Sequence, residues 1–97
     1  MTNLLVAYDI STETKQGEKR LRRAAKVCMG YGQRVQHSVY ECQLDELQFI
    51  EMVKKLSDVV HPTEDNVRIY RVHDLSRGSV VNLGKAVGVD YSEPLIL

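Results

Sequence analysis

Asp9 is the carboxylate whose position asks for an explanation. It closes the apolar run Leu4-Leu5-Val6-Ala7-Tyr8 and precedes a segment in which Lys19, Arg20, Arg22, Arg23 and Lys26 stand without an acid among them. An acid at the carboxyl end of a buried strand is costly to ionise unless it is paired, hydrogen-bonded or bound to a metal. One reading is a turn residue or helix-side cap that satisfies nearby backbone N–H groups. The other is a metal position. Magnesium commonly takes one or two carboxylates and completes its octahedron with water and phosphate oxygens. A lone carboxylate is a poor site, but a two-fold axis near this strand would bring two copies of Asp9 to one ion. Flanked by basic helix faces, that arrangement describes a phosphodiesterase.

The basic residues share a pattern. Leu21, Ala24, Ala25 and Cys28 fall at i, i+3, i+4 and i+7, which predicts a helix over about Gln16 to Met29, with Gly30 at the left-handed position that ends it. Lys19, Arg22, Arg23 and Lys26 repeat that spacing two positions earlier, about 200° round the helix axis. The basic stripe therefore opposes the apolar one, and Arg20 lies on the flank between them. A solvated helix face is the ordinary role of such a stripe. Arg34, however, comes from a different element, with Tyr8, Tyr31 and Tyr40 nearby in the pattern, and cations drawn from two elements favour phosphate contacts.

The elements that must position these groups follow from periodicity. Leu4–Tyr8 reads as a central strand buried on both faces. Gln33–Leu44 reads as two strands divided by a turn near Gln36–Ser38, from its β-branched and aromatic content and the alternation of Tyr40, Cys42 and Leu44. Asp45 and Gln48 form a capping-box pattern, after which Phe49, Met52, Val53 and Leu56 give a second helix of about Glu46 to Val59. The stretch His61–Asn66 breaks it, and Val67, Ile69 and Arg71 alternate with Arg68, Tyr70 and Val72 in a further strand. The order β-α-β-β-α-β is the split βαβ of an α+β, ferredoxin-like sandwich, two helices on one face of a four-stranded antiparallel sheet. The other face needs cover that so short a chain cannot supply, so a homodimer or a ligand is expected. Residues 79–83 suggest an extra C-terminal strand, and the apolar ending Pro94-Leu95-Ile96-Leu97 suggests a tail, within 79–97, that docks on a neighbour.

With 97 residues, the chain holds a single domain spanning 1–97. Thirteen Lys and Arg balance thirteen Asp and Glu, which argues against a general coat for nucleic acid. The asymmetry matters more than the sum. The basic run at 19–26 contrasts with six acids against Lys54 and Lys55 between Gln43 and Asn66. No apolar run approaches the ~18 residues of a membrane span, and a cytoplasmic protein without membrane contact is expected. Cys28 and Cys42 sit in apolar-periodic segments without metal-ligand spacing and read as reduced core thiols. His37, His61 and His73 read as surface or loop residues. Neither a phosphate-binding glycine loop, a Ser-His-Asp set nor a zinc signature is present.

Tyr8-Asp9-Ile10, the run Lys19-Arg20-Leu21-Arg22-Arg23-Ala24-Ala25-Lys26-Val27-Cys28, the run from Tyr31-Gly32-Gln33-Arg34 through His37-Ser38-Val39-Tyr40-Glu41-Cys42, and Arg68-Ile69-Tyr70-Arg71 resemble, in order and spacing, the CRISPR-associated protein 2 family. This is a family of small adaptation subunits described as endonucleases. The likeness extends over about three quarters of the chain, and the ending at 94–97 resembles that of members that cut double-stranded DNA. The resemblance implies a homodimer whose sheets face each other and whose C-terminal segments cross to the partner. It implies that Asp9, once from each subunit, binds Mg²⁺, with Mn²⁺ as the alternative ion. Arg20, Arg22 and Arg34 fall on basic positions tied to nucleic-acid contact or cleavage. Tyr8 falls on the aromatic before the aspartate, Ser38 on the usual serine, and Tyr40 on a position more often Phe; these three are supporting candidates.

Two functions are therefore expected in competition. The first is a Mg²⁺-dependent endonuclease of spacer acquisition, acting on double-stranded DNA, single-stranded RNA or both, with Asp9 catalytic and Lys19, Arg20, Arg22, Arg23 and Arg34 binding nucleic acid. The second is a non-catalytic DNA-binding scaffold that bridges dimers of the CRISPR-associated protein 1 integrase. A module for a small regulator would leave both the basic helix and Asp9 without a role.

Overall fold

The computed structural model describes residues 1–85. Strand β1 (Thr2–Asp9) leads into helix α1 (Lys15–Tyr31), the hairpin β2 (Gly32–Gln36) and β3 (Val39–Leu44), helix α2 (Glu46–Val59) and strand β4 (Asn66–Val72). A 3-10 turn at Arg77–Ser79 follows. The strands lie in the order β2-β3-β1-β4, every pair antiparallel, which is the ferredoxin-like arrangement expected.

Alternation along β1 sorts the two layers. Leu4, Val6 and Tyr8 point to the helices and are buried, and they meet Cys42 and Tyr40 across β3 and Arg71, Ile69 and Val67 across β4. The helices close this side with Ala24 and Cys28 of α1 and Met52, Leu56 and Val59 of α2. Burial on both faces of β1, which the apolar run suggested, does not hold within one chain. Leu5 and Ala7 are only half-buried, because no described element covers their face of the sheet. Val53 also falls outside the core at 37% exposure, and Val59 takes the last position of the apolar seam.

Local chemistry accounts for the helix ends. Thr14 Oγ1 accepts the Gly17 N–H at 3.0 Å and caps α1. A Cβ at Gly17 would run into the Ser11 carbonyl oxygen, so the connection from β1 can fold back over this first turn only because residue 17 is glycine. The expected end at Gly30 is corrected: α1 continues to Tyr31, and the Gly32 N–H still bonds the Cys28 carbonyl while its own backbone is already extended into β2. Among the described residues, the left-handed backbone is confined to Gly84. Glycine is needed at 32 for another reason, since a Cβ there would strike Cys42 Sγ and the Glu41 carbonyl on β3. The capping box on α2 forms as expected, with Gln48 N–H donating to Asp45 Oδ1 at 2.7 Å and Asp45 N–H to Gln48 Oε1 at 3.0 Å.

The extra strand expected at 79–83 is absent from the described chain. Ser79 ends the 3-10 turn, and residues 80–85 join no ladder. Val81 and Leu83 are 86% and 88% exposed there. The ending at 94–97 lies outside the described residues. No described helix is long and apolar enough to cross a membrane.

Candidate nucleic-acid interface and metal position

Strand β1 carries Asp9 to its carboxyl end, opposite Asn66 of β4. Residues of odd number on β1 face away from the helices, so Asp9 shares the uncovered side with Leu5 and Ala7. Its side chain is exposed. The premise that burial forces a partner on this carboxylate is thereby corrected, because Asp9 lies on the uncovered face while its neighbours Tyr8 and Ile10 turn into the core. The uncovered side also presents Val39 and Glu41 from β3 and Arg68 and Tyr70 from β4, with the Arg68 guanidinium carbon 5.2 Å from the Tyr70 ring centre. Burial raises the Glu41 carboxyl above its ordinary range.

Asp9 offers a hard, water-accessible oxygen donor of the kind Mg²⁺ prefers. The described residues hold no group of three or more His, Cys, Asp or Glu able to chelate an ion. The donor type therefore fits magnesium, and the donor number fits only when water, phosphate or a second copy of Asp9 completes the shell.

Tyr8 precedes Asp9 but points to the opposite layer. Its hydroxyl lies 3.4 Å from that of Tyr40, which in turn accepts Arg34 Nε–H at 2.9 Å. The two rings are 5.9 Å apart, and the Arg34 guanidinium carbon lies 5.4 Å from the centre of the Tyr40 ring. Burial, then the hydrogen bond with Tyr40, pushes the Tyr8 phenol well above its usual range, so it stays protonated and supplies no general base at neutral pH. Arg34 sits beside a register shift between residues 34 and 36 of β2, where its Nε is held while the side chain stays exposed. Ser38 contributes through its backbone: its carbonyl accepts the Tyr8 N–H at 3.1 Å, tying the hairpin turn to the strand end that carries Asp9.

Lys19, Arg22, Arg23 and Lys26 are all exposed on the outer side of α1. Arg23 and Lys26 also line a groove of about 670 Å³ between the helices, with Tyr31, Lys55 and Asp58. Arg20 stands apart from the stripe. Its Nε–H donates to Asp65 Oδ2 at 2.7 Å, and the two side chains are 14% and 0% exposed. Asp65 escaped the sequence reading, where it counted only as one acid in a polar turn. The acid-rich turn and the basic helix are 45 residues apart, and opposite charge alone could not single out this pair.

The structure thus gathers Asp9, Tyr8, Ser38, Tyr40 and Arg34 around one end of β1. It does not bring the α1 stripe to the face that carries Asp9, because sheet and helices form opposite sides of the domain. Cys28 and Cys42 are free and fully buried, and burial pushes their thiols up to about 12 and about 11. His37 and His73 are exposed and His61 is partly so.

Residues 1–80 match the family model described as CRISPR associated protein Cas2. The chain is similar to the CRISPR-associated endoribonuclease Cas2 1 of Moorella thermoacetica, 40% identical over 94 residues that cover 97% of this chain and 98% of the relative. It is likewise similar to the CRISPR-associated endonuclease Cas2 of Halalkalibacterium halodurans, 39% identical over 96% of this chain and 97% of that one. Among solved structures, the Streptococcus pyogenes Cas2 crystallised at pH 6.5 matches with a TM-score of 0.76 and 40% identity, covering 84% of this chain and 99% of its own.

Proposed function

The chain belongs to the CRISPR-associated protein Cas2 family, and from that premise we propose that it is a metal-dependent endonuclease of spacer acquisition. Its substrates are double-stranded DNA, single-stranded RNA or both. The observation that carries the reading is the place of Asp9, at the carboxyl end of the central strand and on the side of the sheet that the chain leaves uncovered. A second copy packed over Leu5, Ala7, Val39 and Tyr70 would hide their half-exposed apolar surface and bring a second Asp9 toward the first. The segment 79–97, with its exposed Val81 and Leu83, is the part suited to cross to that copy.

Asp9 from both protomers would hold Mg²⁺, or Mn²⁺ in its place. The chemistry the ion supplies when bound is activation of water and neutralisation of charge on the scissile phosphate. Lys19, Arg22, Arg23 and Lys26 hold phosphate backbone on the helix side of the domain, away from Asp9, and Arg34, steadied by Tyr40, adds a cation from the sheet edge. Tyr8 and Ser38 fix the strand end so that Asp9 keeps its position.

One observation favours a second reading, a non-catalytic scaffold between dimers of the CRISPR-associated Cas1 integrase. The α1 stripe and Asp9 lie on opposite sides of the domain, so a duplex can rest on the helices without reaching the carboxylate. Matched wild-type and Asp9→Ala protein, assayed on a short duplex and a single-stranded RNA with Mg²⁺ and with EDTA, separate the two. Metal-dependent cleavage by wild type alone, with duplex binding retained in both, is the expected result. Equal cleavage by the variant overturns the catalytic role of Asp9, and no cleavage by either leaves the scaffold.

A further inference from the structure

Asp65 is engaged by donors from three separate parts of the fold. Its Oδ2 accepts Arg20 Nε–H at 2.7 Å and the His61 N–H at 2.8 Å, while Oδ1 accepts the Ser11 N–H at 3.1 Å and Arg20 Nη2–H at 3.4 Å. A carboxylate offers about four lone-pair sites, so this one is saturated. The donors come from separate parts of the fold: Ser11 lies two residues beyond Asp9 in the connection to α1, Arg20 lies in the second turn of α1, and His61 lies in the turn between α2 and β4. Asn66, the neighbour of Asp65 in sequence, is the register partner of Asp9.

We propose that Arg20 and Asp65 form a positioning clamp, which fixes the exit of the Asp9 strand and the basic helix against the start of β4, and that Arg20 makes no phosphate contact. This rests on the reading of α1 as the phosphate-binding surface. The guanidinium is spent on a carboxylate that is out of water, whereas Lys19, Arg22, Arg23 and Lys26 extend into solvent. Leaving Asp65 for a phosphate would strand a buried carboxylate without its cation, the costly half of breaking such a pair. Arg20 nonetheless belongs to the same basic run in sequence, so a loss of function on its replacement would ordinarily be read as a lost contact.

The salt dependence of binding distinguishes contact from position. Each phosphate contact contributes about 0.9 to the slope of log K against log salt. Binding of a short duplex, followed by fluorescence anisotropy at several salt concentrations, is compared for wild type, Arg20→Ala, Asp65→Asn, the double variant and Arg22→Ala. The clamp requires that Arg20→Ala weaken binding severalfold at every salt concentration without changing the slope, and that the double variant bind no worse than the weaker single one. A slope reduced by about one in Arg20→Ala, or affinity equal to wild type, overturns it. Urea unfolding of wild type, Arg20→Ala, Asp65→Asn and the double variant reads the pair independently of any ligand: losses that add in the double variant also overturn it. If Arg22→Ala too leaves the slope unchanged, the α1 surface is wrong, and the clamp is then judged by the unfolding cycle alone.

Discussion

Replacing Arg22 and Arg23 together by Ala should lower the salt dependence of duplex binding by about two fifths. The structure sets the magnitude, because four cations of α1 are exposed on its outer side, Arg34 adds a fifth from the sheet edge, and Arg20 is held by Asp65. Five contacts give a slope of about −4.5, so raising the salt from about 50 to about 200 mM should weaken wild-type binding about 500-fold. Three contacts give about −2.7 and a loss of about 40-fold over the same range. The fraction holds whether one or both protomers of a dimer touch the duplex, since each loses the same share of its contacts. Unrelated duplex sequences should be affected alike, because exposed lysines and arginines on a helix crest read phosphates and carry no base information. The measurement is anisotropy of labelled duplexes across a salt series, with circular dichroism to show that the variant is folded. A slope that stays at its wild-type value refutes the phosphate role of this face, whatever happens to the affinity at a single salt concentration.

Gly32→Ala should lower stability by about 1–3 kcal/mol, the usual cost of forcing extra volume into a filled site, read as a shift in the urea midpoint; an unchanged midpoint would mean β2 and β3 are less closely packed. Cys28 and Cys42, with thiols pushed up to about 12 and about 11, should resist a thiol-specific reagent at pH 8 while the protein is native and react fully in urea, and rapid native labelling would contradict their burial. Asp65 gives a pH dependence with a definite sign. Burial raises its carboxyl, but Arg20 and the His61 and Ser11 N–H groups outweigh burial and hold it below the ordinary carboxylate range. A folded value below the unfolded one stabilises the protein above the unfolded pKa, and that stability is lost as pH falls through the folded one. Arg20→Ala removes part of the depression, so its acid unfolding midpoint should move to higher pH than wild type, and a coincident midpoint would count against the pair.

Much of this molecule is legible in the sequence because its signals are local. Period-two and 3.6-residue spacing locate the strands and helices, the Asp45 and Gln48 pattern starts α2 where expected, and the alternation of Tyr40, Cys42 and Leu44 gives the buried face of β3. The same spacing sets the basic stripe of α1 opposite its apolar one, so which cations reach water is nearly settled before folding is considered. Gly30 shows where local signals stop. Glycine near a helix end suggests a left-handed cap, yet the demand for glycine falls at 32, where β3 crowds the backbone, and that crowding exists only once the sheet has formed.

The remaining decisions belong to tertiary structure. Sequence proximity grouped Arg20 with its neighbours, and only the docking of the α2–β4 turn beside α1 set it against Asp65. Adjacency in the chain likewise suggested that Tyr8 and Asp9 act together, but successive strand residues point to opposite faces, and the layers make one a core phenol and the other an exposed carboxylate. Composition and periodicity fix which segments form elements and which residues can carry charge. The pairing of groups distant in sequence depends on the relative placement of those elements, which the balance of many packing contacts determines and no single residue encodes.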